Sequence, residues 1–338
     1  MTKIKILNEK DVNRLINMDI AIRAVENAYS QKNSTNSNVW PLVFYEYEHN
    51  IFDLDIRSGN LEGYNSFGLK VISYNENNLQ KNLPKVNATG LIFNSITGEP
   101  TALLNVAAVT SFRTGAAAAI GAKYLARKDS KNVLIVGCGN VALYSIVAIV
   151  IAMPQIENIV VCNPKDNTGL VDRVKKLKSD VESILESSNK TLKVNITSSD
   201  NMEESVRRSD IIITATPSEK SMINVDWVKE GTHFSCMGAG MPNKQEIDSE
   251  LFKKAIVFAD DTKQCIEYGE MQTAFKNKFI SSIDGEIGEL ILNKKEGRTS
   301  DKDITIFDST GIFLQDLALS IELIEKAKIE NIGMDIEL

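Results

Sequence analysis

The sequence is poor in the residues that most often carry metal, disulfide or nucleophilic chemistry. Among 338 residues there are 2 histidines and 4 cysteines. His49 and His233 have no partner at ligand spacing, so a zinc site is not expected. Cys138, Cys162, Cys236 and Cys265 form no CxxC pair and mostly sit in or beside apolar runs; they read as reduced, buried thiols. There is no Gly-x-Ser-x-Gly elbow and no Walker lysine loop, which leaves acyl transfer and nucleotide hydrolysis without a carrier. Long hydrophobic runs are also missing. The strongest, around Ala142 to Met153, is too short to span a bilayer, and the opening Met-Thr-Lys-Ile-Lys-Ile-Leu has no apolar leader region, so a cytoplasmic protein without membrane contact is expected. Basic residues do not dominate: 38 Lys and Arg against 45 Asp and Glu give a net charge of −7, which argues against a nucleic-acid partner. With 43% hydrophobic and 25% charged residues the composition is that of an ordinary globular protein, and the length suggests two domains.

What the chain does have is centred on Val133-Leu-Ile-Val-Gly-Cys-Gly-Asn-Val-Ala142. A β-branched run enters a glycine turn, and a largely apolar stretch to Met153 follows, so the local order is strand, tight turn, helix. That order suits a dinucleotide. Gly137 permits the sharp turn, Gly139 lets the backbone approach a pyrophosphate, and Ala142 is small enough for helix to pack on strand. The helix N-terminus, with free N–H groups and the positive end of the dipole, then favours the phosphates. Without that flanking context, the same glycines would be an ordinary α/β turn.

Before this motif, Ile4 to Leu7 reads as a strand, and Val12, Leu15, Ile16, Ile20, Ala21, Ala24, Val25 and Ala28 follow helical spacing. Short runs at Val43–Tyr47, Ile51–Ile56, Phe67–Ser73, Asn87–Phe93 and Thr101–Asn105, several divided by turn residues, predict a largely antiparallel sheet and an α+β first third. The alanine-rich stretch from Val106 to Arg127 predicts a helix that bridges two domains. Beyond the glycine turn, strands at Ile159–Cys162, Leu192–Thr197, Asp210–Ala215, Thr232–Met237 and Ala255–Ala259 alternate in part with helices at Thr168–Leu185 and Met202–Arg208. Continuous apolar strands interleaved with helices imply a doubly wound parallel sheet covered on both faces, which Ile304–Phe307 could close. Gly311 to Ile329 is again amphipathic and could pack back on the N-terminal part. The expected division is residues 1–125 plus 311–338 as a substrate and dimerisation domain, and 126–310 as a Rossmann domain.

Several short sequences, in order along nearly the whole chain, resemble the ornithine cyclodeaminase and μ-crystallin family. They are Phe67-Gly-Leu-Lys70, Leu83-Pro84, Ser111-Phe-Arg113-Thr-Gly-Ala-Ala, Ala122-Lys-Tyr-Leu-Ala126, Gly137-Cys-Gly139, Thr214-Ala-Thr-Pro217, Gly231-Thr-His233, Pro242-Asn-Lys-Gln-Glu246, Gly269-Glu270, and Ser309-Thr-Gly-Ile312 through Gln315-Asp-Leu317. The resemblance implies a Rossmann domain holding NAD(H) or NADP(H), homodimers paired through the substrate domains, and chemistry at an amine-bearing carbon beside a carboxylate. For the nucleotide it implies Thr114, Gly137, Gly139, Asn140, Val141, Asn163, Lys165, Thr214, Ala215, Thr216, Met237, Gly238 and Ser309. For catalysis it implies Lys70, facing the substrate carboxylate or reacting nitrogen, Arg113 as carboxylate clamp, and the position of Lys85; no metal is implied. Read as residues alone, Lys70 is rather a surface lysine on a strand, and Arg113 could be a helix arginine paired with an acid at a domain interface. A buried guanidinium among Val, Ala and Phe needs a charged partner, which a substrate carboxylate would supply.

Three positions depart from the cyclodeaminase pattern. Leu42 and Lys85 stand where those enzymes have arginine and threonine, and Gly238-Ala-Gly240-Met-Pro242 lacks their aspartate at Gly240. That carboxylate would handle the distal amine of ornithine, so ring closure is placed in doubt while imine reduction is not. The expectation is an NAD(P)H-dependent oxidoreductase acting on an amino or imino acid, of the imine-reductase or amino-acid-dehydrogenase type. An ammonia-lyase with tightly bound NAD is the alternative, and a binding protein of the μ-crystallin type a third. After the second strand the chain reads Cys162-Asn163-Pro164-Lys165, with no acid to select the ribose 2′-hydroxyl of NAD, so NADPH is expected to bind at least as well as NADH.

Overall fold

Two asparagines divide the N-terminal helical stretch. Strand β1 (Lys3–Leu7) leads to Asn8, whose side chain caps helix α1 (Glu9–Leu15) in a capping box with Asp11. The chain then turns extended at Ile16, and Asn17 accepts from Ile20 N at 2.9 Å to start helix α2 (Met18–Lys32). The single apolar periodicity from Val12 to Ala28 is therefore two helices, because a side chain that caps a new helix ends the previous one. The computed structural model describes residues 3–49, 51–164 and 168–338, and they divide into two compact units: 1–113 with 312–338, and 114–311.

In the first unit β2 (Asn38–Val39), β3 (Val43–Glu48), β4 (Phe52–Leu61), β5 (Ser66–Asn75), β6 (Val86–Asn94) and β7 (Pro100–Asn105) follow. Strands β4 to β7 pair antiparallel in sequence, β2 and β3 both pair with β4, and β1 lies parallel beside β7. Helix α3 (Ala107–Leu125) leaves this sheet, and the unit boundary falls inside it, between Arg113 and Thr114. That is earlier than the expected boundary after residue 125, which had assigned the whole helix to one side.

The second unit is one parallel sheet. Its elements in order are β8 (Asn132–Val136), α4 (Asn140–Ala152), β9 (Asn158–Cys162), α5 (Leu170–Glu186), β10 (Asn195–Ser198), α6 (Met202–Arg208), β11 (Ile211–Thr214), β12 (His233–Cys236), β13 (Ala255–Ala259), α7 (Thr262–Tyr268), α8 (Gln272–Lys276), β14 (Gly285–Glu286), α9 (Ile287–Ile291) and β15 (Ile304–Asp308). Strand order is β10-β9-β8-β11-β12-β15-β13-β14, every pair parallel. Strands β11, β12 and β15 are buried at every residue, as a sheet covered on both faces requires. The last of them does not close the sheet at an edge: β15 inserts between β12 and β13. Strand order reverses between β8 and β11, which puts a ligand crevice at their carboxyl ends.

The chain returns to the first unit through α10 (Phe313–Glu330) and β16 (Met334–Glu337). Helix α10 buries eleven side chains, from Phe313 to Ala327, and packs on α2 and β4. Strand β16, which the pattern had not suggested, pairs antiparallel with β1 and becomes the edge of the first sheet.

Candidate active site

In the second unit the carboxyl end of β8 turns at Gly137, whose φ of 115° lies in the region that favours glycine. A Cβ there would also stand 2.6 Å from Ala215 O, so the position excludes any side chain twice over. Gly139 is different. Its backbone is extended, it caps α4 without a side-chain hydrogen bond, and a Cβ there would meet nothing within 4 Å. Gly139 is thus not glycine for internal packing; it leaves the start of α4 bare. Beside it a cleft of about 280 Å³ is lined by Cys138, Gly139, Asn140, Arg173, Lys176 and Asp180. Free N–H groups at a helix start next to two cations make a setting for an anion.

The loops after the neighbouring strands are held by buried side chains. Thr214 Oγ1, Thr216 N, Thr216 Oγ1 and Gly238 N all donate to Glu246, at 2.6 to 2.9 Å. Ser309 Oγ donates to Asp260 at 2.9 Å. The side chains of Thr214, Thr216 and Ser309 are therefore committed inward, and what these loops offer a ligand is chiefly backbone. Gly137, Gly139, Asn140, Val141, Thr214, Ala215, Thr216, Met237, Gly238 and Ser309 do gather at or just beyond the carboxyl ends of four adjacent strands, β8, β11, β12 and β15. Asn163 follows β9 at the same edge and Thr114 is a buried residue of α3, whereas Lys165 lies outside the described residues.

The first unit holds a second, separate cluster. Lys70, in the middle of β5, is 1% exposed, so it is not a surface lysine. Its Nζ donates to Asp316 Oδ1 at 2.9 Å and to Thr110 Oγ1 at 3.3 Å. Arg113 donates through Nη1 to Gln315 Oε1 at 2.9 Å, while its Nε faces Asp316 Oδ2 at 3.5 Å; neither of those two buried atoms has a hydrogen-bond partner among the described residues. Arg57, cross-strand from Lys70, pairs with Asp55 at 3.2 Å. Burial lowers the Lys70 pKa to about 8; Arg113 and Arg57 push the same way, and Asp316 opposes them. Burial alone would raise Asp316, but the Lys70 and Arg113 charges outweigh it and hold the carboxyl below its ordinary value. A lysine near pH 8 beside an ionised aspartate can give up or take a proton under physiological conditions.

Lys85 does not join this cluster. Its ammonium pairs with Glu76 at 2.5 Å, with both side chains at least one-third exposed, because it precedes β6 rather than lying across from Lys70. Glu246, the nearest acid along the chain to Gly240, is occupied by its four donors. Two contributors had no signal of their own in the pattern. Asp316 sits in the first turn of α10, where an acid is favourable for the helix dipole alone, and Arg57 lies one residue beyond the predicted strand Ile51–Ile56.

A doubly wound, all-parallel sheet with a bare glycine turn at its switch point, joined to an α+β unit with its own buried cation–acid cluster, defines a two-unit protein of the Rossmann class. Known proteins agree with this in full length. Alanine dehydrogenase of Archaeoglobus fulgidus is 36% identical over 334 residues, 98% of each chain. An archaeal alanine dehydrogenase dimer solved with bound NAD has a TM-score of 0.87 at 34% identity over 100% of both chains. The Δ(1)-pyrroline-2-carboxylate reductase of Thermococcus litoralis, solved with NADH and L-proline, has a TM-score of 0.87 at 27% identity, covering 98% of this chain and 100% of that one. The chain belongs to the ornithine cyclodeaminase/mu-crystallin family, whose model matches residues 2–331.

Proposed function

We propose that the protein is an NAD(P)H-dependent oxidoreductase that interconverts an α-amino acid and its imino or keto acid. The observation that carries this reading is the buried Lys70–Asp316–Arg113 cluster, in which two cations surround one acid and Arg113 Nε, 3.5 Å from Asp316 Oδ2, makes no hydrogen bond among the described residues. A planar guanidinium beside a lysine is suited to a carboxylate, the one group that every α-amino acid and its imine share. Gly139 supports the cofactor: an open glycine at an uncapped helix start fits a dinucleotide diphosphate, with Arg173 and Lys176 flanking the cleft.

When bound, the nicotinamide supplies or accepts the hydride at the carbon that bears nitrogen. The protein's own residues do the rest. Arg113 and Arg57 hold the carboxylate and fix which face of the substrate is presented. Lys70 gives a proton to nitrogen as the C=N bond is reduced and takes it back in the oxidative direction. Asp316 keeps the Lys70 ammonium in place and, by its charge, limits how far burial can lower its pKa. At Gly240 there is no carboxylate for a distal amine, so reduction or dehydrogenation is favoured over ring closure with ammonia loss.

We also infer a homodimer. Trp40, Val43, Phe44, Tyr45 and Tyr47, on and beside β3, are each 40–57% exposed, an apolar strip that a second copy would cover; light scattering of the purified protein tests this. A cytoplasmic setting accords with four free cysteines. The activity is tested with a panel of 2-keto acids plus ammonia, cyclic imines and amino acids, run with NADH and NADPH and read by reduced-nicotinamide absorbance. Reduction of at least one imine or keto acid is the expected result, and no change in absorbance with any of them would reject the reading.

A further inference from the structure

We propose that Glu246 is a positioning residue for the dinucleotide: its buried carboxylate ties the loop after β11 to the loop after β12, and Glu270 and Asp308 extend the tie to the end of β15. The inference rests on the cofactor reading above.

Glu246 lies in no strand or helix, yet it is fully buried. Oε1 accepts from Thr216 N at 2.7 Å and Thr216 Oγ1 at 2.8 Å; Oε2 accepts from Thr214 Oγ1 at 2.6 Å and Gly238 N at 2.9 Å. Each oxygen is thereby saturated by two donors, and the four donors come from the end of β11, the loop after it and the loop after β12, which have no hairpin connection. The backbone of Glu246 is fixed as well: its N–H donates to Glu270 Oε1 at 2.7 Å and its carbonyl accepts from Met222 N at 2.8 Å. Glu270 Oε1 takes a second bond from Ile247 N at 2.7 Å, and the backbone N–H groups of Glu270 and Met271 donate to Asp308 at 3.0 and 2.9 Å. Three carboxyl side chains thus connect the carboxyl ends of β11, β12 and β15 in series.

Stability alone does not explain this choice. Burying an ion with hydrogen bonds but no cation costs several kcal/mol, and apolar side chains would fill the volume more cheaply. What carboxylates provide and methyl groups do not is a fixed direction for each backbone N–H. The arrangement even excludes a side chain on the facing loop, since a Cβ on Gly238 would stand 2.5 Å from Glu246 Oε2. The loops so fixed are those bearing Ala215–Thr216 and Met237–Gly238, whose main chain is what the edge presents to a ligand. Preorganised backbone of this kind lowers the cost of ordering a site on binding.

Glu246→Gln tests the proposal, because an amide has one acceptor oxygen and its NH2 must face either Thr216 N–H or Gly238 N–H. Val12→Ala, a core cavity in α1 of the first unit, is the stability control. NADH and NADPH affinities are measured by calorimetry beside melting temperatures, with KM and kcat in the imine reaction. The expected result is a dinucleotide Kd raised by about tenfold or more, roughly 1.4 kcal/mol, for E246Q, appearing in the dinucleotide KM more than in kcat, while V12A melts lower yet keeps its Kd within about twofold. Glu246→Asp, which keeps the charge but withdraws it by one methylene, should lie between and serves in place of E246Q if that variant fails to fold. Wild-type affinity in whichever of these two glutamate variants folds, or an equal loss in V12A, would overturn the positioning role while leaving the cofactor reading intact. Absence of dinucleotide binding by the wild type would instead reject both.

Discussion

Lys70 Nζ donates to Asp316 Oδ1 across 2.9 Å, with both side chains 1% exposed. One partner is on a strand and the other 246 residues later on the helix that returns to the same unit. Removing the acid strands two buried cations, so Asp316→Asn should cost on the order of 3–5 kcal/mol of stability.

The same pair sets a kinetic prediction. Lys70 is lowered to about 8 by burial, so reductive kcat/KM should fall as pH rises through that value, and oxidative kcat/KM should rise. Asp316 is the influence that raises Lys70, hence in Asp316→Asn the midpoint should move to lower pH. Lys70→Ala and Arg113→Ala should bind dinucleotide nearly normally but lose about 2–4 kcal/mol of transition-state stabilisation in kcat/KM. An unshifted midpoint in D316N would separate the observed titration from Lys70.

The two turn glycines should fail in different ways. Gly137→Ala places a Cβ at φ 115° and 2.6 Å from Ala215 O, so it should destabilise the fold by more than about 1 kcal/mol. Gly139→Ala has an ordinary φ and open space around the new methyl. It should melt within about 0.5 kcal/mol of wild type, while dinucleotide affinity falls by about tenfold or more, since the methyl occupies the approach to the helix start. Denaturant melts beside calorimetric titration separate the outcomes, and equal affinity in G139A would place the diphosphate elsewhere.

How much of this was legible follows from where each constraint lies. The glycine turn could be read because its demands are local: β-branched residues before it, a positive φ at Gly137, and a small residue at Ala142. The antiparallel runs of the first unit were legible for the same reason. The place of β15 inside the sheet was not, since strand order depends on which edges the helices leave open. Asp316 is a polar residue in an apolar helix face, but its first-turn position gave it a sufficient local explanation. Lys85 was assigned by position in a motif, and only cross-strand register separates it from Lys70. Glu246 was weighed only as a stand-in for an acid at Gly240, because nothing in sequence indicates that a loop will fold its carboxylate onto four inward donors.

Gly240 carries a prediction about the reaction. A cyclodeaminase needs an acid near the distal nitrogen of ornithine, and neither Gly240 nor the fully engaged Glu246 provides one. With ornithine and catalytic NAD, the protein should form proline far more slowly than it reduces its best imine. The backbone tolerates the missing residue, because a Cβ at Gly240 would lie 3.2 Å from Thr310 O with no positive φ. Gly240→Asp should therefore fold after a shift of a few tenths of an ångström, yet not gain full activity, since Leu42 and Lys85 also differ. Stoichiometric proline from the wild type over many turnovers would replace the reductase reading by the lyase.

The buried carboxylates predict an alkaline loss of stability. Burial raises Asp308 to about 8, with Asp260 and Glu246 adding to it, and it raises Asp260, Glu246 and Glu270 as well, Glu270 being pushed further by the Glu246 charge. For an acid whose folded pKa lies above its unfolded value the protonated form is favoured by folding. Its contribution is fully present below the unfolded pKa, near 3.8 for Asp308, and is lost as pH rises through about 8. Asp210 and Asp316, both lowered, act oppositely and lose their contribution only as pH falls below the ordinary carboxylate range. Melting temperature of the ligand-free protein should therefore decline from about pH 5.5 to pH 8 by this linkage, above which loss of the buried Lys70 charge opposes it. Glu270→Gln isolates the cause: the amide oxygen can still accept from Glu246 N and Ile247 N, while the nitrogen replaces Oε2, which has no hydrogen-bond partner among the described residues. That variant, whose amide nitrogen stands where the protonated wild type already has an unmet Oε2–H, should start near the wild type at pH 5.5 and decline less steeply toward pH 8. A decline as steep as that of the wild type would assign the alkaline loss to groups other than Glu270.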